Sequence, residues 1–381
     1  MNVLLLGGIG AVAAEASRDL FQHGGFDKIT LADVNVEKAK AFAREIGLPL
    51  SSVVRVDASR PEELTDVMRG NDVVLNGLSN LFHLSVLRSA IKTRSSVVDL
   101  NGATENMESL DNEAQEAGIT YLAGCGATPG ITNMMALKAA EELDSVAEID
   151  VSFAAFRSFA LSRTLLDLTI GEFDPREDVK ERVIYEGGSL LQVLPFNGEK
   201  MVSFPEPIGP QPVFFVPHPE TRHLPRSIKT DRVYTRGCFS PSIMRFLKVI
   251  NEYGFLRTDP IQIDGAKISP RQLLSEYLLQ VPEAARENVW GYGLHVEVIG
   301  QRTGRSVRHT LWSTHPGMDE WGIPGAYSKN IALPLAVGAR LLMERKQRRT
   351  GVGSPDSLLP AGLFFKELEA RGIKLHEKVT N

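Results

Sequence analysis

The run Gly8-Ile9-Gly10-Ala11-Val12-Ala13 has the spacing G-x-G-x-x-A. Glycine at the first position permits a tight turn. Glycine at the second lets backbone approach a ligand, and a small third residue lets a helix lie close on a strand. Such a turn, opening a helix, holds a pyrophosphate through free N–H groups and the positive end of the helix dipole. The fingerprint alone is weak; its context is what makes it specific. The apolar run Val3–Leu6 precedes it, a helical pattern follows, and the next strand, KITLAD, ends on Asp33. A carboxylate there accepts from ribose hydroxyls and repels a 2′-phosphate. Val34 and Asn35, which follow, provide no guanidinium to hold such a phosphate. The expected cofactor is therefore NAD rather than NADP. Ile9 belongs to the phosphate turn and Val34 to the ribose side.

Three further groups lie where strands should end. Asp57-Ala58 closes the third strand, where an acid commonly sits near an adenine and where a plain cap would look the same. Asn76-Gly77-Leu78 follows the fourth. Asp99, with Asn101-Gly102, closes the fifth. Ligands of open α/β sheets bind outside the carboxyl ends of the strands, so the loops after the fourth and fifth strands should border the nicotinamide half of the cofactor.

The elements that must position these residues alternate. Strands are read at 3–6, 28–33, 53–57, 72–76, 96–100 and 119–122, with helices at 11–21, 36–46, from Pro61, at 84–91 and at 108–117. Alternation of this kind implies right-handed crossovers and a Rossmann-type parallel sheet with helices on both faces. A loop, Gly126–Gly130, and a helix follow. Beyond them the periodicity is two, at 148–153, 213–216, 231–235, 295–299 and 307–312, the last two flanking a hairpin signal at Gly300–Gly304. The fold class is α/β. A dinucleotide domain at 1–130, completed by C-terminal helices within 325–381, carries an inserted, mostly antiparallel α+β domain at 131–324 for substrate and dimerisation.

Composition narrows the classes. The chain has 381 residues, room for two domains of about 100–200 residues each. Its net charge of −5 gives no support to a nucleic-acid partner. Two distant cysteines, Cys125 and Cys238, make neither a disulfide framework nor a CxxC metal site, and no metal is expected. The first residues lack a basic stretch and a cleavage pattern, and no apolar run reaches the about 20 residues of a membrane helix. A cytoplasmic protein without a membrane partner is expected.

Five segments in order, GGIGAVAAEASRDL, TLADVN, DVVLNGL, VVDLNG and GCGATPGITNMMA, resemble the saccharopine dehydrogenase-like oxidoreductases. The ending, GVGSPDSLLPAGLFFKELEARGIKL, resembles the tail of the lysine 6-dehydrogenase branch in particular. The resemblance implies a nicotinamide-dependent enzyme that oxidises amines or reduces imines of amino acids. It implies lysine ε-deamination first, and saccharopine-type or carboxynorspermidine-type imine reduction as the alternative. It also implies a homodimer or higher homo-oligomer. Several relatives carry Asp before Pro-Gly in the loop after the last strand, where this chain has Thr128.

Amine oxidation needs a base to accept the substrate's proton, and an amino-acid carboxylate needs an arginine fork. The segment His218–Arg226, HPETRHLPR, concentrates both types and reads as a loop leaving a strand. His218 is the candidate base, with Asp99 the second. Arg226 is the candidate carboxylate clamp, with Arg157 the second, and Asn101 and Gly102 border the substrate. The competing reading is a solvated loop with ion pairs among Glu220, Arg222 and Arg226. His295 and His309, on hairpin strands, read as structural. A non-catalytic NAD sensor is the reading from a different class, against which the clustered Arg and His residues stand.

Overall fold

The computed structural model describes residues 1–176, 182–280 and 288–381. The chain divides into two compact units. The first comprises Met1–Leu143, Arg226–Ile228 and Ser328–His376, the second Asp144–Pro225, Lys229–Tyr327 and Glu377–Asn381.

The first unit begins β1 (Asn2–Leu6), α1 (Ala13–His23), β2 (Lys28–Asp33), α2 (Val36–Ile46), β3 (Val53–Arg55), α3 (Pro61–Met68), β4 (Val73–Asn76), α4 (His83–Thr93) and β5 (Ser96–Asp99). Two short helices, α5 (Glu105–Glu108) and α6 (Asp111–Glu116), precede β6 (Thr120–Leu122) and α7 (Ile131–Ala140). Four consecutive residues of β1, Val3 to Leu6, are fully buried, because helices cover both faces of a parallel sheet. Asn35 caps α2 by accepting from the Lys38 N–H, and Gly47 ends it in the left-handed region. One helix expected at 108–117 is split into α5 and α6.

The sheet is parallel throughout, in the order β6-β5-β4-β1-β2-β3, with a seventh strand, Gly351–Gly353, beside β6. That strand was not expected; three residues, two of them glycine, carry no periodicity to read. Helix α7 belongs to this unit and not to the inserted one. Eight of its ten residues are buried, so it has no polar face on which a domain boundary could fall.

The second unit contains β7 (Ser145–Phe156), α8 (Arg163–Glu172), β8 (Val183–Glu186), β9 (Ser189–Gln192), β10 (Lys200–Ser203), β11 (Pro210–Phe215), α9 (Glu220–Ser227), β12 (Arg232–Phe239) and α10 (Pro241–Glu252). A small hairpin, β13 (Ile261–Ile263) with β14 (Ala266–Ile268), then α11 (Pro270–Gln280), β15 (Gly291–Arg302) and β16 (Arg305–Thr314) follow. Its sheet runs β10-β11-β12-β7-β15-β16, closed by the strand Lys374–Thr380. All pairs in this run are antiparallel except β12 with β7, which is parallel. The chain's last residues thus lie in this sheet and not, as expected, in the dinucleotide domain. The end of α9, Arg226–Ile228, clusters with the first unit. Among the described residues no helix is long and apolar enough to cross a membrane.

Candidate active site

The phosphate turn divides its work among three glycines. Gly7, at φ 66°, takes a left-handed conformation, next to Gly8, to which the sequence reading gave the tight turn. Gly8 is required for space: a Cβ there would stand 2.8 Å from Leu31, 3.0 Å from Leu5 and 3.0 Å from the Ser17 hydroxyl. Gly10 is open, since a Cβ would meet only the Gly7 carbonyl, at 3.6 Å. Val12 is the N-cap of helix α1 and no side chain caps it, while the Ala14 and Glu15 N–H groups of the first turn donate to the carbonyls of Gly10 and Val12. An open second glycine over an uncapped helix start fits a pyrophosphate. Ile9 is half-buried within this turn. Ala13 packs on the loop after β4 rather than on a strand alone: a Cβ at Gly77 would come 2.5 Å from the Ala13 methyl.

At the end of β2, one Asp33 oxygen accepts from the Asn35 N–H at 2.9 Å. Val34 is 60% exposed beside it. Strand pairing sets Arg55 level with Asp33, a cation that inspection of Val34 and Asn35 alone missed. The Arg55 guanidinium lies 3.6 Å from Glu63. Asp57 receives the Ser59 hydroxyl at 2.6 Å, and that bond holds its carboxyl below the usual value; Ala58 is the next residue of this turn.

The candidate base Asp99 is placed otherwise than expected. It is fully buried. One oxygen accepts from the Asn101 N–H at 2.8 Å and its side-chain amide at 3.0 Å. The other accepts from Tyr121 at 2.5 Å and Asn76 at 2.7 Å. Burial pushes the Asp99 carboxyl up, against the pull of these donors, and pushes the Tyr121 phenol well up. A carboxylate with every accepting direction used and no exposure cannot take a substrate proton. Asn101 is spent on this network, Leu78 donates its N–H to Asn76, and Gly102 remains half-buried at the loop.

In the second unit, His218 follows Pro217 in the turn from β11 to α9. HPETRHLPR is largely helix and not loop: α9 starts at Glu220 and accommodates Pro225 in its last turns. The His218 imidazole lies on the Phe153 ring, and Gly237 opposite makes the room, since a Cβ there would meet that ring at 2.3 Å. His218 Nε2 is 3.5 Å from Glu172 at the end of α8, and Nδ1 is 3.7 Å from Glu220. Glu220 is fully buried, and Tyr292 and Tyr327 stack on each other with centroids 5.5 Å apart. Burial, with Tyr327 and Glu172 nearby, pushes the Tyr292 phenol well up. The sequence reading missed Glu172 and both tyrosines. Glu220 lay in view within the His218 segment, counted only as an ion-pair partner.

The two arginines are engaged. Arg157 is buried between Phe239 and Tyr327 and donates to the carbonyls of Ser158, Phe159 and Leu165 and to Thr169. A guanidinium spent on backbone carbonyls tethers the end of β7, in place of the carboxylate role expected for it. Arg226 lies in the first unit, half-exposed, and pairs with Glu108. Cys125 is buried and donates to the Pro334 carbonyl at 3.2 Å, with burial pushing its thiol up, so it is inert. His309 is buried against Glu377 at 2.6 Å.

Residues 3–122 match the family described as saccharopine dehydrogenase NADP binding domain, and residues 126–373 match the saccharopine dehydrogenase C-terminal domain. The chain belongs to the saccharopine dehydrogenase family. Carboxyaminopropylagmatine dehydrogenase of Synechocystis is 24% identical over 98% of this chain and 96% of its own length. The NADP-dependent, L-glutamate-forming saccharopine dehydrogenase of Saccharomyces cerevisiae is 32% identical over 37% of this chain and 31% of its own length. The solved apo structure of a saccharopine dehydrogenase from that yeast superposes with a TM-score of 0.73 at 18% identity, covering all of both chains, and so shares the fold. The protein is an amine-related oxidoreductase with an NAD(P)-binding domain.

Proposed function

We propose that this member of the saccharopine dehydrogenase family is an NAD-dependent dehydrogenase that oxidises the C–N bond of an amino-acid-derived amine, with lysine deaminated at its ε-carbon as the first substrate. The observation that supports this most is the His218 imidazole set between Glu172 and Glu220 on the face of Phe153. An ammonium group must lose a proton before its carbon can give up hydride, and water must then add to the imine. His218 accepts that proton. The paired carboxylates draw a cationic amine to it, and the apolar rings restrict water. The dinucleotide supplies the hydride acceptor. The C–H electron pair leaves, C=N forms, and hydrolysis releases ammonia and an aldehyde. Arg226 is the candidate for the substrate carboxylate; a half-exposed pair such as Arg226–Glu108 is worth about 0–1 kcal/mol, so a substrate can displace Glu108.

Two observations favour a second reading. The relative aligned along nearly the whole chain is named for a carboxyaminopropyl amine, so the bond oxidised here can be that of a secondary amine, whose hydrolysis releases an amine in place of ammonia. On the cofactor side, Arg55 beside Asp33, together with the name of the matching domain, favours NADP.

One assay decides among these. Reduction of NAD⁺ and of NADP⁺ is followed by absorbance with lysine, saccharopine, carboxynorspermidine and carboxyaminopropylagmatine, and ammonia is measured in parallel. Turnover of lysine with ammonia supports the first reading. Turnover of a conjugate without ammonia supports the second. Cofactor binding without turnover on any of them supports the sensor reading. A homo-oligomer is part of the proposal, supported by apolar residues such as Tyr253, Leu273 and Tyr277 that stand exposed on the second unit. Light scattering checks it.

A further inference from the structure

The side chains of Asp99 and Asn76 in the first unit are both buried completely, and they meet at 2.7 Å. Neither can touch a bound cofactor. The Asn76 side chain is used at both ends: its amide donates to Asp99, and its carbonyl oxygen accepts from the Leu78 N–H at 3.2 Å. The backbone between them, at Gly77, donates to the Leu6 carbonyl at 2.8 Å and lies against the phosphate turn. A Cβ at Gly77 would meet Ala13 at 2.5 Å and the Gly7 carbonyl at 3.0 Å, and one at Gly7 would meet Leu78 at 2.9 Å. A continuous run of contacts therefore leads from the buried carboxylate to the turn that opens α1.

We infer that Asp99 and Asn76 form a buried positioning pair that holds the loop after β4 against the dinucleotide turn, so that cofactor affinity depends on two side chains that cannot reach the cofactor. Asp99 is held by neutral donors alone: Tyr121, Asn76, and the main-chain and side-chain N–H groups of Asn101. Four donations converge on one group, and a carboxylate supplies four accepting directions where an amide supplies two. Polarity thus orients the pair. With an acceptor-only partner facing it, Asn76 must point its amide at Asp99, and its oxygen is then left for Leu78. An uncommitted asparagine could turn over; this one cannot without setting two N–H groups against each other.

The same argument gives a test with a rescue. Asp99→Asn places an amide N–H against Asn76 and Tyr121, or against Asn101 if turned over. If Asn76 turns to accept, its own amide faces the Leu78 N–H. Every arrangement leaves donor against donor. In the double variant Asn76→Asp/Asp99→Asn the polarity is exchanged. The amide at position 99 donates to the carboxylate at position 76, whose other oxygen still accepts from Leu78, and the Tyr121 oxygen can accept.

The inference rests on the cofactor-binding role of the first unit, which titration of the wild type with NADH or NADPH, read by fluorescence, establishes separately. Asp99→Asn and Asn76→Ala should each raise the Kd by about tenfold or more, the order expected when a buried hydrogen bond is replaced by an unpaired group. The exchanged pair should recover most of that loss. A purely structural role would lower the melting temperature without recovery of affinity in the exchanged variant. Wild-type affinity in folded Asn76→Ala would overturn the inference, as would an exchanged variant binding no better than Asp99→Asn. Should Asp99→Asn fail to fold, Asn76→Ala decides alone, since it leaves Asp99 three of its donors.

Discussion

The imidazole of His218 lies on the ring of Phe153, with centroids 4.8 Å apart and planes 25° from parallel. Stacking fixes the plane of the imidazole, and Glu172 and Glu220 fix its rotation, so both nitrogens have defined directions. His218→Ala should lower kcat by about 10²–10⁴-fold, the usual contribution of a positioned base. It should also flatten the alkaline rise of the pH profile. Phe153→Leu keeps the base and loses its platform, so its smaller loss should be in kcat with KM little changed. Near-normal kcat in His218→Ala would remove this residue from the chemistry.

Asp33 and Arg55 stand in register on β2 and β3, and the proposed cofactor choice turns on these two residues. The proposed preference is NAD over NADP by at least about tenfold, or about 1.4 kcal/mol. Asp33→Ala should narrow the gap by removing repulsion and leaving Arg55 to meet a 2′-phosphate. Arg55→Ala on that background should open it again. Parallel titrations with the two reduced cofactors measure this, and a wild type that favours NADPH would reverse the roles of the two residues.

The glycines of the phosphate turn should fail in different ways. A Cβ at Gly8 has no room, so Gly8→Ala should destabilise the fold by about 1–3 kcal/mol, as overpacking does, seen in chemical denaturation. Gly10 has room in the protein, so Gly10→Val should fold with its melting temperature nearly intact and lose cofactor binding. Equal destabilisation of both variants would show that the open side of Gly10 is not where phosphate sits.

His315 gives the second unit an acid-sensitive joint. Its Nε2 accepts the Tyr292 N–H at 3.1 Å, and Nδ1 meets the Pro316 carbonyl at 2.8 Å, so the neutral ring is the one that fits. Burial lowers its pKa below 6.5. A lowered folded value means that the unfolded chain takes up the proton first. Its stabilising effect is therefore complete above pH 6.5 and declines as pH falls through the folded value. His295, also lowered by burial, acts in the same direction. Melting temperatures should fall between pH 7.5 and pH 5.5, and less steeply in His315→Gln. Parallel curves for the two proteins would exclude this residue as the cause.

The first unit was largely legible because each buried strand had a continuous apolar run and each helix a stop. KITLAD and Val36–Ile46 fall where their residues indicate. What could not be read was partnership across the sheet. Arg55 stands 22 residues from Asp33 in sequence, and only the pairing of β2 with β3 makes them neighbours. Asp99 stood out as an acid at a strand end, which is true of a base and of a buried anchor alike. Its three side-chain and main-chain partner residues come from β4, β6 and its own loop. In the second unit, Pro217 ending the strand argued for loop where α9 forms three residues later; Pro225, near the end of that short helix, interrupts few of its bonds.

The strand Gly351–Gly353 has a consequence for synthesis. It pairs with β6 at Thr120–Leu122, so the outer edge of β6 waits for more than 200 further residues to be made. During that interval a nascent chain displays a row of unpaired amides and carbonyls at the flank of an otherwise assembled parallel sheet. Vectorial folding from the amino terminus, usual for domains made early, cannot finish here. The dinucleotide half of the molecule gains this strand only after the ribosome has passed through the second unit as far as Tyr327, which leaves the flank of β6 open throughout that interval.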